Sequence, residues 1–479
     1  MLEPYDLCII GGGINGAGIA RDAAGRGLRV ILLEQNDFAS GTSSASSKMI
    51  HGGLRYLEFY EFGLVRKSLA EREVLLKIAP QIVRILKFCI PHVNAPRPAW
   101  MVRLGLFLYD HLAKRRSIPG SAILNLAQTP LGAPLKNPDI QGMMYHDCWV
   151  DDARLVILNL LDAERKGAIL RNYCKVVSLA RADDLWRITV KPQMPPAPEI
   201  TPEALSQPIP EMIHARAVVN ATGPSVQSLL EDFKLLTPTT PRLTLVQGSH
   251  IIVPKLYDGD HAYFLQLPDR RVIFVFPYGP YTLCGTTEKP FDGDPRLMPQ
   301  GVQASEEERA YLCTALNQFF KRQTSPQDII ADYCGVRPLF QDAHQDVSKI
   351  SRDYHLEIYS NEPHTAPNPP PLLLSIFGGK ITTYRVLAEE VMEKILKPQF
   401  PHIGPSWTAQ APLPVCPYPL EKNKNIDEFS DQEIRDMVTY FRTQEWAKCA
   451  DDILTRRTKW GILASQSVRE TISRMFNAS

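Results

Sequence analysis

The residues most plainly spaced for chemistry are Gly11, Gly13 and Gly16, which follow the apolar run 7–10 and open the stretch 14–20. In a Gly-x-Gly-x-x-Gly pattern each glycine has a steric task. Gly11 makes the tight turn, Gly13 lets the backbone approach a pyrophosphate, and Gly16 allows a helix to pack closely on a strand. The pyrophosphate then lies at a helix N-terminus, beside Ile14 and Asn15, where unpaired N–H groups and the dipole favour an anion. Glu34 ends a second apolar run about 20 residues further on, where an acid accepts hydrogen bonds from ribose hydroxyls and disfavours a 2′-phosphate. Glycines also make ordinary turns and caps. Strand, glycines, helix, strand and acid in register make nucleotide binding the stronger reading.

Three later segments bear on which nucleotide this is. The stretch 41–48, with Thr42, Ser43, Ser46 and Ser47, follows the ribose acid and runs directly into His51-Gly-Gly-Leu-Arg55-Tyr56, so it is expected to line a cofactor instead of forming a loose surface loop. Asn220-Ala221-Thr222-Gly223 follows another apolar run, and Gly378-Gly379-Lys380-Ile381-Thr382 precedes a helical stretch. Two more glycine-bearing strand ends put backbone near one long cofactor, as FAD requires.

These segments need a scaffold to hold them together. Runs 6–10, 30–33, 186–190, 217–221, 250–253, 272–276 and 372–376 read as strands, which argues for α/β in the first part and a strand-rich middle. Proline is raised, 40 of 479 residues, and clusters at 191–210, 363–371 and 398–419, which read as loops or linkers. Beyond 419, polar helical segments at 431–441, 445–454 and 465–475 form a small C-terminal unit. A chain that is 44% hydrophobic and 22% charged is globular, with room for about three domains at ~150 residues each. With 53 Lys+Arg against 52 Asp+Glu there is no overall field for nucleic acid, so any attraction to phosphate or anionic lipid is local. Nine cysteines stand singly, without the Cys-x-x-Cys pair of a zinc site or redox dithiol, which fits a reducing cytosolic compartment and no metal. The N-terminus lacks the pattern of a signal peptide, and its apolar run is too short to span a bilayer.

At this point the sequence resembles the FAD-dependent, aerobic bacterial-type glycerol-3-phosphate dehydrogenases, within the D-amino-acid-oxidase-like flavoproteins. The resemblance runs over about residues 3–410. It is carried by the glycine stretch 11–18, by 42–57, by Asp147-Cys-Trp-Val-Asp-Asp-Ala-Arg154, Gly248-Ser-His250, Gly285-Thr-Thr287 and Gly335-Val-Arg-Pro338, and by 377–385. After about Pro412 it weakens, with a C-terminal unit shorter than the family's. At Glu288 the family pattern has Asp.

The resemblance implies oxidation of sn-glycerol 3-phosphate to dihydroxyacetone phosphate, with electrons leaving reduced FAD for ubiquinone or menaquinone. An oxidase passing electrons to O₂ and a non-catalytic flavin-binding scaffold are the alternatives. A small dianion with a secondary alcohol needs cationic forks for its phosphate and a base near the reacting carbon. Arg55, Arg337 and Arg352, with Tyr56 and Lys380, are the expected substrate-binding set, since a guanidinium binds phosphate through two charge-assisted bonds. For the base, His250 is preferred, as it opens a strand and is expected to point into a cleft; His51 then lines the flavin. Arg337 is expected to stabilise the developing alkoxide. A lysine at a helix N-terminus opposes the dipole, which favours a use for Lys380 against the reduced flavin or substrate. The cofactor-binding set is Gly11, Gly13, Ile14, Asn15, Gly16, Glu34, Thr42, Ser43, Ser46, Ser47, Val176, Ala221, Thr222, Gly223, Gly378, Gly379, Lys380 and Thr382.

The expected fold is α/β (α+β). A discontinuous Rossmann-like FAD-binding domain takes residues 1–80, 145–225 and 370–400. A mixed or antiparallel-sheet substrate domain takes 81–144 and 226–369, and a shortened helical unit takes 401–479. A quinone partner requires peripheral contact at the inner face of the cytoplasmic membrane, and a homodimer is compatible with the family. The segment 100–116, with Trp100, Leu104, Phe107 and Leu108 at helical spacing and a basic end at Lys114-Arg115-Arg116, could supply that contact. Because its apolar residues surround the helix instead of forming one stripe, a buried core helix is favoured.

Overall fold

The computed structural model describes residues 3–195, 209–238, 240–298, 302–340, 353–359, 371–417 and 426–477. At its centre is strand β1 (Tyr5–Ile10), whose residues Leu7 to Ile10 are all buried. That is the pattern of a parallel strand covered on both faces. β1 pairs in parallel with β2 (Val30–Leu33) on one side and with the strand Glu211–Asn220 on the other. Ile169–Arg171 and Leu372–Gly378 continue the parallel order outward. Helix α1 (Ile14–Gly25) returns over this sheet between the helices Asp152–Arg165 and Tyr384–Glu390. Its small residues allow that approach. A Cβ on Gly16 would lie 2.0 Å from the Gly11 carbonyl oxygen, and one on Gly18 would lie 2.6 Å from the Tyr384 ring.

The second sheet has ten strands and is largely antiparallel. Its longest pairing joins Leu243–Pro254 to Ala331–Phe340, in register from Leu243 opposite Phe340 to Ile252 opposite Ala331. The helix Glu306–Phe319 covers one face, begun by a reciprocal cap between Ser305 and Glu308.

Four expectations shift. Strand Gln141–Val150 pairs with Val83–Pro91 in the second sheet, while Tyr354–Tyr359 pairs with Leu372–Gly378 in the first, so the division of strands falls later than 144/145 and earlier than 369/370. Both runs are assigned by partners distant in sequence, which a local pattern does not reveal. In the C-terminal unit, helices Asp431–Gln444 and Gln466–Asn477 lie where expected, but 445–454 is not one helix. The chain turns at Trp446 with φ +56°, the Asp452 carboxylate accepts from the Lys448 and Cys449 amides at 2.7 and 3.1 Å, and the helix begins at residue 450. Lastly, the helix Ala99–His111 is not a core helix. Val102, Leu106 and Tyr109 are buried, whereas Trp100, Leu104 and Phe107 are 66%, 51% and 57% exposed. No helix among the described residues is long and apolar enough to cross a membrane.

Candidate active site

The ends of the parallel strands and one face of the second sheet enclose a cavity of about 420 Å³. Its nucleotide end is built by the turn after β1. Gly11 adopts φ +113°, and a Cβ there would lie 2.5 Å from the Ala221 carbonyl oxygen, so only glycine lets the two strand ends meet. Glu34 leaves β2 and its carboxylate accepts from the Gly12 amide at 2.7 Å and the Asn36 amide at 2.8 Å. It therefore braces the glycine turn while lining the cavity. Burial raises its pKa and those two amides oppose the rise.

The hydroxyl-rich stretch 41–48 forms the adjoining wall. Ser43 Oγ accepts from the Ile14 amide at 3.0 Å, and Thr42 Oγ1 donates to the Val336 carbonyl at 2.6 Å, tying this loop to the strand that carries Arg337. Opposite, Asn15 Nδ2 donates to the Gly378 carbonyl at 3.3 Å, and its Oδ1 is buried with no hydrogen-bond partner among the described residues. A dinucleotide fits this cleft: a Cβ at Gly13 would meet only Ser43 Oγ, at 3.1 Å, so the glycine leaves open backbone at the helix N-terminus.

The other end is cationic and aromatic. His51 is tied to Thr382, its amide 3.3 Å from Oγ1, and its ring stands edge-on to Phe274 at 6.2 Å. Arg55 and Arg337 approach the two oxygens of Glu288 at 3.5 and 3.6 Å, and Lys380 Nζ lies 3.8 Å from the centre of the Tyr56 ring. Burial lowers the His51 pKa to about 3, helped by the charges of Lys380, Arg337 and Arg72, so the imidazole is neutral at physiological pH.

Among the described candidate residues, all but two line this cavity. Gly16 lies behind it, where it sets the helix against the turn. His250 also stands off the wall: it is 1% exposed, stacks on Tyr333 at 4.7 Å and shares a 2.9 Å hydrogen bond between Nε2 and Ser47 Oγ. It supports the loop 41–48 from behind, and of the two candidate imidazoles it is His51 that lines the cavity. Arg352 lies outside the described residues. Tyr145, Phe264, Phe274 and Glu288 line the site without having been singled out for it. Phe274 was legible as the outward position in the alternating strand Val272–Tyr278, where Ile273 and Val275 are buried. Glu288 had no signal beyond its place next to a glycine-threonine run.

The family model described as FAD dependent oxidoreductase matches residues 6–385. A glycerol-3-phosphate dehydrogenase of Pseudomonas aeruginosa is 44% identical, over 98% of this chain and 94% of its own length. A D-erythritol 1-phosphate dehydrogenase of Brucella abortus is 41% identical, over 99% of this chain and 98% of its own. Such coverage takes in the C-terminal unit, so the likeness does not stop near residue 412. The crystal structure of a glycerol-3-phosphate dehydrogenase from Bacillus halodurans complexed with FAD shares the fold, with a TM-score of 0.71 at 24% identity, covering 100% of this chain and 92% of that one. With a nucleotide turn, a cleft that fits FAD and relatives matched over nearly their whole length, the chain belongs to the FAD-dependent oxidoreductases, in the group of the glycerol-3-phosphate dehydrogenases.

Proposed function

We propose that the chain oxidises sn-glycerol 3-phosphate to dihydroxyacetone phosphate, with hydride passing to FAD and the electrons leaving for a membrane quinone. The observation that carries this reading is the set Arg55, Arg337 and Lys380 gathered with neutral His51 at one end of the dinucleotide cleft. Guanidinium forks suit a phosphomonoester dianion. Bound FAD supplies the two-electron acceptor for the C2 hydride. The chain's own task is the hydroxyl proton, which His51 receives as the C–O bond becomes C=O; hydride and proton together account for both hydrogens lost. Alone among cations, His51 is a weak base. The two negative charges of the substrate offset those cations, so its basicity rises when the phosphate is in place, and proton removal is tied to correct binding. Arg337 stabilises the developing alkoxide.

The relative that acts on D-erythritol 1-phosphate is nearly as similar as the one named for glycerol 3-phosphate, which favours a four-carbon polyol phosphate as the second reading. For the quinone and an inner-membrane location, support comes from the helix Ala99–His111. Its exposed apolar face is flanked by Arg103 and Lys114 to Arg116, and its Gly105 faces Leu54, next to Arg55. Binding to anionic vesicles that is weakened about tenfold by Trp100→Ser plus Leu104→Ser is expected; unchanged binding removes this helix from the contact.

The test of the reaction is an anaerobic titration of the holoprotein, following flavin absorbance. Bleaching by sn-glycerol 3-phosphate and recovery on a soluble quinone analogue are expected. Bleaching only by D-erythritol 1-phosphate reassigns the substrate, fast peroxide formation in air makes it an oxidase, and a flavin that no polyol phosphate reduces leaves a scaffold.

A further inference from the structure

Away from the cavity, the described residues hold a dense set of buried charges that the reaction does not use, at the joint between the C-terminal unit and the cofactor-binding domain. Asp37 is three residues past Glu34. Its carboxylate receives Arg456 Nε at 2.6 Å, Arg457 Nη2 at 2.8 Å and Asn172 Nδ2 at 3.0 Å, and it also accepts from Arg457 Nη1. Burial would raise its pKa, but the two guanidinium groups outweigh burial and hold it below the usual carboxylate range. The next residue, Phe38, packs edge-on against Trp446 at 5.3 Å, and on its other side a Cβ at Gly12 would strike its ring at 2.6 Å. The Ala39 amide then donates to the Gly12 carbonyl at 3.0 Å. The segment 37–39 is thus the underside of the glycine turn, and the C-terminal unit presses on it.

Two residues past Arg457, beyond the end of its helix, Lys459 reaches the second wall of the cleft. Lys459 Nζ lies 3.3 Å from Asp151 Oδ1 and 4.0 Å from Asp152 Oδ1. Asp152 in turn accepts from the Ser46 amide at 3.1 Å, Ser46 Oγ at 2.7 Å and Lys48 Nζ at 2.7 Å. Ser46 lines the cavity and Lys48 closes the hydroxyl-rich loop. Basic side chains at 456, 457 and 459, within four residues, therefore back the two loops that bracket the nucleotide end.

We infer that the segment 452–459 is a latch on the cofactor: Arg456 and Arg457 through Asp37, and Lys459 through Asp151 and Asp152, hold loops 34–39 and 41–48 closed, so that docking of the C-terminal unit and retention of FAD are coupled. These are positioning residues, acting through the loops and not on the cofactor. The inference rests on the FAD assignment and is independent of the substrate. Coupling is reciprocal, so bound FAD also holds the C-terminal unit in place.

The test reads FAD release from the full-length holoprotein, as the gain of flavin fluorescence on dilution. Lys459→Met leaves Asp152 its Lys48 partner and Arg456→Gln leaves Asp37 its Arg457 partner, although Asp151 loses Lys459 and Asp451 and Asp452 lose Arg456; each variant is expected to speed release about tenfold, the scale of one lost charge-assisted hydrogen bond. Far-UV circular dichroism is expected to match the parent, and Arg456→Lys is expected to recover part of the effect. Release within twofold of the parent in both variants, even with a lowered melting temperature, overturns the latch and leaves the joint as packing alone. A measurement on the parent stands if a variant does not fold. Limited trypsin digestion after Lys448 and Lys459 is expected to be at least fivefold faster in the full chain stripped of FAD than with FAD restored, and equal rates overturn the coupling.

Discussion

Arg337 lines the cavity from the strand Ala331–Phe340 and shares Glu288 with Arg55, so in the proposed reaction its planar fork is held ready for the phosphate. Arg337→Lys keeps the charge and loses the fork. The expected result is bound FAD with kcat/KM for sn-glycerol 3-phosphate lowered about 10–100-fold, the equivalent of about 1.5–3 kcal/mol for the lost charge-assisted bonds. Unchanged steady-state kinetics would remove Arg337 from the site. The two histidines separate in the same way. His51 lines the cavity, while His250 is behind Ser47. His51→Gln is expected to lower kcat about 10²–10⁴-fold with FAD retained. A loss of that size from His250→Gln, with His51→Gln close to the parent, would restore position 250 as the base. Sequence ranks His250 first because it is expected to open a strand, but it lies within the strand Leu243–Pro254, and the packing of Tyr333 on its ring leaves His51 as the imidazole that meets the cavity.

At the scale of the elements, β1, the glycine turn and α1 make the most explicit prediction. Gly11 needs its left-handed φ and touches the Ala221 backbone, so Gly11→Ala is expected to disrupt the turn itself. Gly13 has no such constraint, and the nearest atom to an added Cβ is the end of the Ser43 side chain. Gly13→Ala is therefore expected to give a folded but colourless protein, measured as native far-UV circular dichroism without flavin absorbance. A yellow Gly13→Ala variant would show that the pyrophosphate does not approach at that position. These elements were legible because a strand buried on both faces must be apolar throughout and the turn after it admits few residues. The helix Ala99–His111 was misread for the converse reason. Its apolar residues do surround it, yet the body of the protein covers only the side of Val102, Leu106 and Tyr109.

For the whole molecule, burial of four histidines, His51, His146, His250 and His261, weighs on the acid side of stability. His51 is lowered to about 3 and His261 to about 4, each chiefly by desolvation, and His250 is lowered well below its ordinary value. Between these values and the unfolded pKa near ~6.5 the unfolded chain binds more protons, so stability rises with pH across that window. Their contribution is fully present above about pH 6.5 and is lost as pH falls toward 4 and 3. The melting temperature is expected to be flat from pH 7 to 8 and to fall steadily from pH 6.5 to 4. A melting temperature that held or rose on acidification would mean these imidazoles are charged in the folded protein.

The order strand, glycine turn, helix, strand and acid determined the nucleotide end from sequence alone, because backbone sterics and helix-end electrostatics are local and few residues satisfy them. Arg55, Tyr56 and Lys380 were visible for a related reason, since they stand in short glycine-flanked segments beside cofactor-lining turns. Tertiary structure decided which histidine faces the cavity, that Glu288 bridges two arginines, that Gln141–Val150 and Tyr354–Tyr359 change sheets, and that Arg456, Arg457 and Lys459 support the cofactor loops from about 420 residues away in the case of Asp37. These are contacts between side chains distant along the chain, set by how the sheets and the C-terminal unit close on one another, and no spacing in the sequence encodes them.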